Sequence, residues 1–241
     1  KFVYSTYDRF KARLTGIKVL ESPRIEGDDW ISFLVHRLNQ DKKSTMIVSN
    51  DYDIKQLISF NLDEMWMNFM SNEMFNKQKI FLPQNYQLLI DKVKKLPSDD
   101  IFDLNDNSEF LNLFKKFETK HETVLINNME SLFIKIVSGD SSDNIQSVYR
   151  VTKNGRVRGI GSKGAQSIYN SYLEEFGEVS LEDPDLYENI ADIICEKKKL
   201  SKSMIGKIVS NINNNMKLID LRMDNFPDEI LNSMNEKYSK V

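Results

Sequence analysis

Cysteine and histidine are nearly absent from these 241 residues, which hold Cys195, His36 and His121 and no others of either type. A lone cysteine rules out an internal disulfide framework and fits a reducing, cytoplasmic setting. The same scarcity excludes the usual zinc site, built from clustered Cys and His. No run of about 18 apolar residues occurs, so no membrane span is expected. No signal peptide is evident, and the chain opens on Lys1 rather than Met, as a fragment or trimmed chain would. Neither sign of charge dominates: the net charge is −3, which on its face argues against a nucleic-acid partner.

What the sequence does have is acid in three tight clusters. They are Glu26, Asp28 and Asp29 in Ile25-Glu-Gly-Asp-Asp-Trp30, Asp51 and Asp53 in Ser49-Asn-Asp-Tyr-Asp53, and Asp140 and Asp143 in Gly139-Asp-Ser-Ser-Asp-Asn144. Carboxylates aimed at one place repel one another unless cations neutralise them. Hard divalent ions prefer oxygen ligands, and Mg²⁺ takes only one or two carboxylates while keeping several waters. Seven carboxylates exceed the needs of one such ion and suit two, the arrangement that clamps both oxygens of a phosphodiester displacement. Taken singly, each cluster has a plainer reading: a helix cap for the first, a turn for the second, a loop cation site for the third.

Periodicity places these clusters on elements. Ile25 to Leu38 carries an apolar stripe of Ile31, Leu34, Val35 and Leu38, with acids in the first turn where the helix dipole favours them. Thr45 to Ser49 reads as a short buried strand, with Asp51 and Asp53 directly after its end, where open α/β sheets place their sites. A helix is expected over 54–60, strands over 65–69 and 79–82, and a helix over 86–95. A loop is expected over 97–107, and helices over 110–117 and 129–137. From Gly159 onward the pattern is helical, and Asn211-Ile-Asn-Asn-Asn215 is a short polar tract.

Basic residues gather in two acid-free stretches. Arg150, Lys153, Arg156, Arg158 and Lys163 fall between Tyr149 and Tyr172, and a lysine run extends from Lys197 to Lys207. The second reads as a solvated helix face. The first is rich in Gly and Arg, as a loop gripping a phosphate backbone would be. It ends in Gly159-Ile-Gly-Ser-Lys163, where a tight turn entering a helix exposes backbone N–H groups that bind phosphate without reading sequence.

In their order and intervals, Glu26-Gly-Asp-Asp29, Ser49-Asn-Asp-Tyr-Asp53 with Gln56-Leu57, Gly139-Asp-Ser-Ser-Asp-Asn144 and Gly159-Ile-Gly-Ser-Lys163 resemble the structure-specific 5′-nuclease family. This family comprises flap endonucleases, polymerase-linked 5′-exonucleases and phage 5′-nucleases. The likeness runs from about Ile25 to Ser171. It implies a central, mostly parallel sheet flanked by helices in residues 1–145, then a helical duplex-binding region in 146–241 containing a helix–three-turn–helix. It further implies two Mg²⁺ or Mn²⁺ ions, one served by Glu26, Asp28, Asp29 and Asp51 and the other by Asp53, Asp140 and Asp143. Asp29, Asp51, Asp53 and Asp143 would be the catalytic residues. Arg150, Lys153, Arg156, Arg158, Gly159, Gly161, Ser162 and Lys163 would contact DNA, with K⁺ at the turn.

The implied activity is 5′–3′ exonuclease or flap endonuclease action, or RNase H action on RNA primers. The substrate would be a DNA or RNA–DNA duplex with a 5′ end or flap. A clamp or single-strand binding protein are the implied partners, in replication or repair.

Two departures bear on this. The connection from Gln146 to Arg158 is longer than the family's usual few residues and is most similar to the RNase H of T-even phages, which would put the chain in a host cytoplasm. The family's opening strand and helical arch have no match, since only about 25 residues precede the first acidic cluster. Lys1 to Leu14 reads either as the tail of that arch or as an ordinary amphipathic helix. A non-catalytic DNA-binding member, a PIN-like ribonuclease and a structural protein with ion-stabilised carboxylates stay open as alternatives.

Overall fold

A computed structural model describes residues 11–13, 16–64, 66–74, 77–93 and 122–240. The stretches 97–107 and 110–117, and most of 1–14, lie outside these residues.

The first acidic cluster opens helix α1, Gly27–Gln40, whose apolar side turns Trp30, Phe33 and Val35 inward. Strand β1, Thr45–Val48, follows. The helix expected over 54–60 is instead a 3-10 turn at Tyr52–Leu57 followed at once by strand β2, Ser59–Asn61. The β-branched and aromatic run Ile58-Ser-Phe60 favours extended backbone over a continuing helix. Strands β3, Trp66–Met74, and β4, Lys77–Pro83, extend the two short strands expected there. Helix α2, Tyr86–Val93, lies where one was expected, and strand β5, Glu122–Ile126, was not anticipated.

These strands make one five-stranded sheet in the order β1-β3-β4-β5, with β2 also on β3. The pairs β1–β3 and β4–β5 are parallel; β2–β3 and β3–β4 are antiparallel. Side chains alternate between the two faces. Met67, Phe69, Ile80 and Leu82 meet Tyr86 and Leu89 of α2 on one face. Met70 and Phe81 meet Val35 of α1, Ile54, Ile58 and Leu221 on the other. Both faces are thus covered, the layering of an α/β fold.

The rest is a helical layer. Helices α3, Asn128–Ser138, α4, Ser162–Phe176, α5, Leu186–Lys198, and α6, Ile205–Ile219, share the largest core; α7, Asp228–Ser239, seals α1 through Met234. The connection from 146 to 158 contains strands β6, Arg150–Lys153, and β7, Arg156–Gly159, paired antiparallel. Asn154 and Gly155 take φ of 53° and 72°, the two left-handed residues that a tight hairpin turn matching strand twist requires. Among the described residues no helix is long and apolar enough to cross a membrane.

Asn215 ties α6 to α3 and to the chain that follows it. It is buried, and its Nδ2 donates to the carbonyls of Ile136 and Gln146, both at 2.8 Å. These acceptors flank the 139–145 loop, so α6 fixes where that loop sits. Asn215→Leu removes both bonds and is expected to cost about 2 kcal/mol, the range for stranded buried carbonyls. The thermal midpoint should fall by about 4–8 °C. An unchanged melt would show the two bonds to be dispensable.

Candidate metal centre

Local chain chemistry sets each acid in place. After β1 the backbone turns, and Asp51 caps the 3-10 turn: its Oδ1 accepts from the Asp53 N–H at 2.9 Å, while Ser49 Oγ accepts from the Asp51 N–H at 3.0 Å. Gln56 ties this turn to the helical layer, with Nε2 donating to Ile219 O at 3.0 Å and Oε1 accepting from Leu221 N at 2.9 Å. That clamp explains why a glutamine follows the acidic turn. At the start of α1, Glu26 and Asp29 form a reciprocal capping box, with Asp29 Oδ2 accepting from the Glu26 N–H at 2.9 Å. Burial, opposed by that hydrogen bond and assisted by neighbouring Asp28, raises the Asp29 pKa.

The third cluster sits on a closed loop. Backbone bonds in both directions between Asp140 and Ile145, at 2.8 and 2.7 Å, pinch residues 141–144 into a knuckle at the end of α3. Asp140 Oδ1 accepts from the Ser142 N–H at 2.7 Å. Packing of α3 against the 3-10 turn then joins the second and third clusters. Ligand oxygens of Asp53, Asp140 and Asp143 all lie within 4.8 Å of one another.

Lys135 is the residue that spacing did not reveal. From one turn before the loop, its Nζ donates to Asp140 Oδ2 at 2.7 Å and also to Asp53 Oδ1. All three side chains are mostly buried, and the lysine holds the Asp140 carboxyl well below the usual carboxylate range. The acids therefore surround a positive charge already. A lysine at the last turn of a helix is ordinary, so only the fold marks this one.

A cleft beside this trio is lined by Glu26, Asp28, Asp51, Asp53 and Asp143 and floored by Ile31, Ile54 and Leu221. The structure thus brings together six of the seven candidate acids, counting Asp140 through the trio. Asp29 does not line the cleft; its carboxylate is turned to the cap. The donors are carboxylate oxygens, the set that hard divalent ions prefer, and the Lys135 ammonium shows that a cation is accommodated between Asp53 and Asp140. The residues fit a divalent metal.

Candidate DNA contacts divide into groups. Gly159, Gly161, Ser162 and Lys163 lie at the exposed entrance to α4, which has no side-chain cap. Ile160 N is held by Ser147 Oγ at 2.9 Å, and a Cβ on Gly159 would come within 2.7 Å of Ser147 Cβ, so close approach demands that glycine. In the hairpin, the backbone of Lys153 pairs with that of Arg156, and register puts Arg158 opposite Val151 on one face. Arg150 takes the other face with Thr152 and Val157. Lys153-Asn-Gly-Arg156 between alternating valines was the available signal for this hairpin.

No protein-family model matches the chain. A segment of 94 residues is 33% identical to a 5′-3′ exonuclease of Aquifex aeolicus (strain VF5), covering 35% of this chain and 32% of that protein. The match therefore spans about a third of the relative's length. Among solved structures, T5 5′-exonuclease with bound divalent metal ions (zinc) superposes with a TM-score of 0.52 at 16% identity, over 100% of this chain and 68% of that one. A second T5 structure, co-crystallised with metal ions, gives 0.53 at 17% identity, over 99% and 68%.

Proposed function

We propose that this chain, whose fold and matched segment support a 5′-nuclease assignment, is a divalent-metal-dependent phosphodiester hydrolase acting on DNA or RNA–DNA duplexes with a 5′ end or flap. The observation that carries this is the meeting of Asp53, Asp140 and Asp143, from segments far apart in sequence, around a positive charge at the edge of an acidic cleft. These three residues would hold one Mg²⁺ or Mn²⁺. Glu26, Asp28 and Asp51 would hold the other, with Asp29 fixing the helix end that presents them. Bound ions supply a water of lowered pKa and stabilise charge on the leaving oxygen.

The chain's own groups do the rest. Asp51 holds the turn that orients Asp53, and the pinched loop aims Asp143. The apolar floor of Ile31, Ile54 and Leu221 keeps bulk water from one side of the cleft. Duplex DNA is placed by the α4 entrance, where free N–H groups and Lys163 meet backbone phosphates, with K⁺ as the neutralising ion at that turn. Arg156 and Arg158 extend the contact along the hairpin. Action on RNA primers in phage replication is the finer reading that the long basic connection supports.

A 5′-labelled flap duplex tests this directly. With Mg²⁺ the chain is expected to release the labelled arm, and with EDTA it is not. Salt-sensitive duplex binding without cleavage, in Mg²⁺ and in Mn²⁺, would overturn the catalytic reading and leave a DNA-binding member of the family.

A further inference from the structure

On the far side of Ile145 and Leu218, both of which also border the acidic cleft, lies a second feature of the surface. It is a groove of about 490 Å³ between the hairpin and α6. Its helical wall is a stripe of Lys207, Asn211, Asn214 and Leu218, spaced i, i+4, i+7, i+11, so one continuous face of α6 looks into it. Its other wall is the hairpin side carrying Arg150, Thr152 and Val157. The polar tract that the sequence left without a role is therefore a lining.

Three properties define what fits. First, the lining has two cations, Arg150 and Lys207, and no carboxylate, although acids outnumber bases in the whole chain. An anion is selected. Second, amides and a hydroxyl alternate with exposed apolar groups: Val157 and Leu218 are 61% and 69% exposed. That mixture suits a ligand with flat apolar faces and hydrogen-bonding edges as well as charge. Third, the volume falls within the roughly 300–1,000 Å³ of pockets that take drug-sized molecules. An unpaired stretch of polynucleotide offers that combination of faces, edges and charge, whereas a duplex keeps its base faces stacked away. The groove wall is also firmly set, since Asn211 Nδ2 donates to Val148 O at 2.8 Å at its base.

We infer that the groove between α6 and the β6–β7 hairpin binds a single-stranded nucleic-acid arm and leads it to or from the acidic cleft. Phosphates pair with Arg150 and Lys207, bases lie against Val157 and Leu218, and the Asn214 amide meets their edges. The inference rests on the nuclease reading and adds a strand path separate from the duplex grip at the α4 entrance. Unpaired bases carry exposed faces and edges that a duplex hides, which is how such a groove tells a forked end from a blunt one.

The test is equilibrium binding in EDTA, where cleavage plays no part, using one labelled duplex in blunt form and with an unpaired DNA or RNA arm. Lys207→Glu is expected to weaken the armed substrate about tenfold and lower its salt slope by about one, while the blunt duplex changes less than about twofold. Lys207→Arg should restore the armed affinity. Selective loss on the DNA arm, the RNA arm or both supports the groove and says which strand it takes. Equal loss on armed and blunt forms, or no loss on either, overturns it. If Lys207→Glu leaves binding untouched while wild type cleaves flaps in Mg²⁺, the groove is wrong and the nuclease reading stands. If wild type binds neither form, both fall.

Discussion

Gly139→Ala is expected to cost about 3–5 kcal/mol and to abolish activity along with stability. Gly139 adopts φ 72° and ψ −177° at the end of α3, a region that glycine alone occupies readily. Space is closed as well as backbone. A Cβ there would lie 2.5 Å from Gln146 C and Ile145 O and 2.6 Å from Ser147 N. All three are backbone atoms, so no side chain can swing aside to make room. Relief requires the 139–147 segment to move, which opens the Asp140–Ile145 bridge and withdraws Asp140 and Asp143 from Asp53. Denaturant melts check this, with Gly161→Ala as the contrast. Gly161 has φ −85° and nothing within 4 Å of an added Cβ, so a cost of about 1 kcal/mol or less is expected there. Equal melts for the two variants would show that the loop is not closed as described.

The second large effect is chemical rather than structural. Asp143 is exposed, and among the described residues its carboxylate makes no hydrogen bond or ion pair. Asp143→Asn keeps shape and removes charge, so the fold should be indifferent. Cleavage of the flap duplex at saturating Mg²⁺ is expected to fall at least about 10³-fold, beyond the 10–100-fold typical of losing a group that only supports a metal ligand. Unaltered thermal melting must accompany that loss for it to count. Cleavage within a few-fold of wild type would remove Asp143 from the centre. Asp53→Asn is the less clean choice, since it also breaks the pair with Lys135.

The meeting of the candidate acids was legible in the sequence wherever chemistry and spacing coincide along the chain. Asp51 and Asp53 follow a strand end, and Asp140 and Asp143 follow a glycine that terminates a helix. Their order could be read without coordinates. What escaped depends on three-dimensional meeting. Lys135 looked like any last-turn lysine because its partner Asp53 lies 82 residues away. Asp29 looked equivalent to Asp28 until the cap claimed its carboxylate. The hairpin was legible and missed, because charge in the 146–158 stretch drew the reading toward a loop while Asn154-Gly155 between valines pointed to paired strands. The 3-10 turn at 52–57 gave way to β2 where pairing with β3 outweighs local helical tendency, a tertiary choice that short apolar runs do not declare. The fold class followed from the alternation of strands and helices, whereas strand β5 is only five residues long and carries no turn signal of its own.

Lys135 has one consequence for how the centre lives without metal. Carboxylates gathered this closely would ordinarily push apart, leaving an ion-free protein swollen at its working end. Here the protein carries its own tethered counter-ion, so one of the two negative charges of Asp53 and Asp140 is already balanced. In the proposed centre, a divalent ion held by Asp53 and Asp140 would take over charge that the Lys135 ammonium balances here. The ion pair would accordingly hold the turn and the loop together with or without such an ion, so keeping the fold would be a separate task from the proposed cleavage.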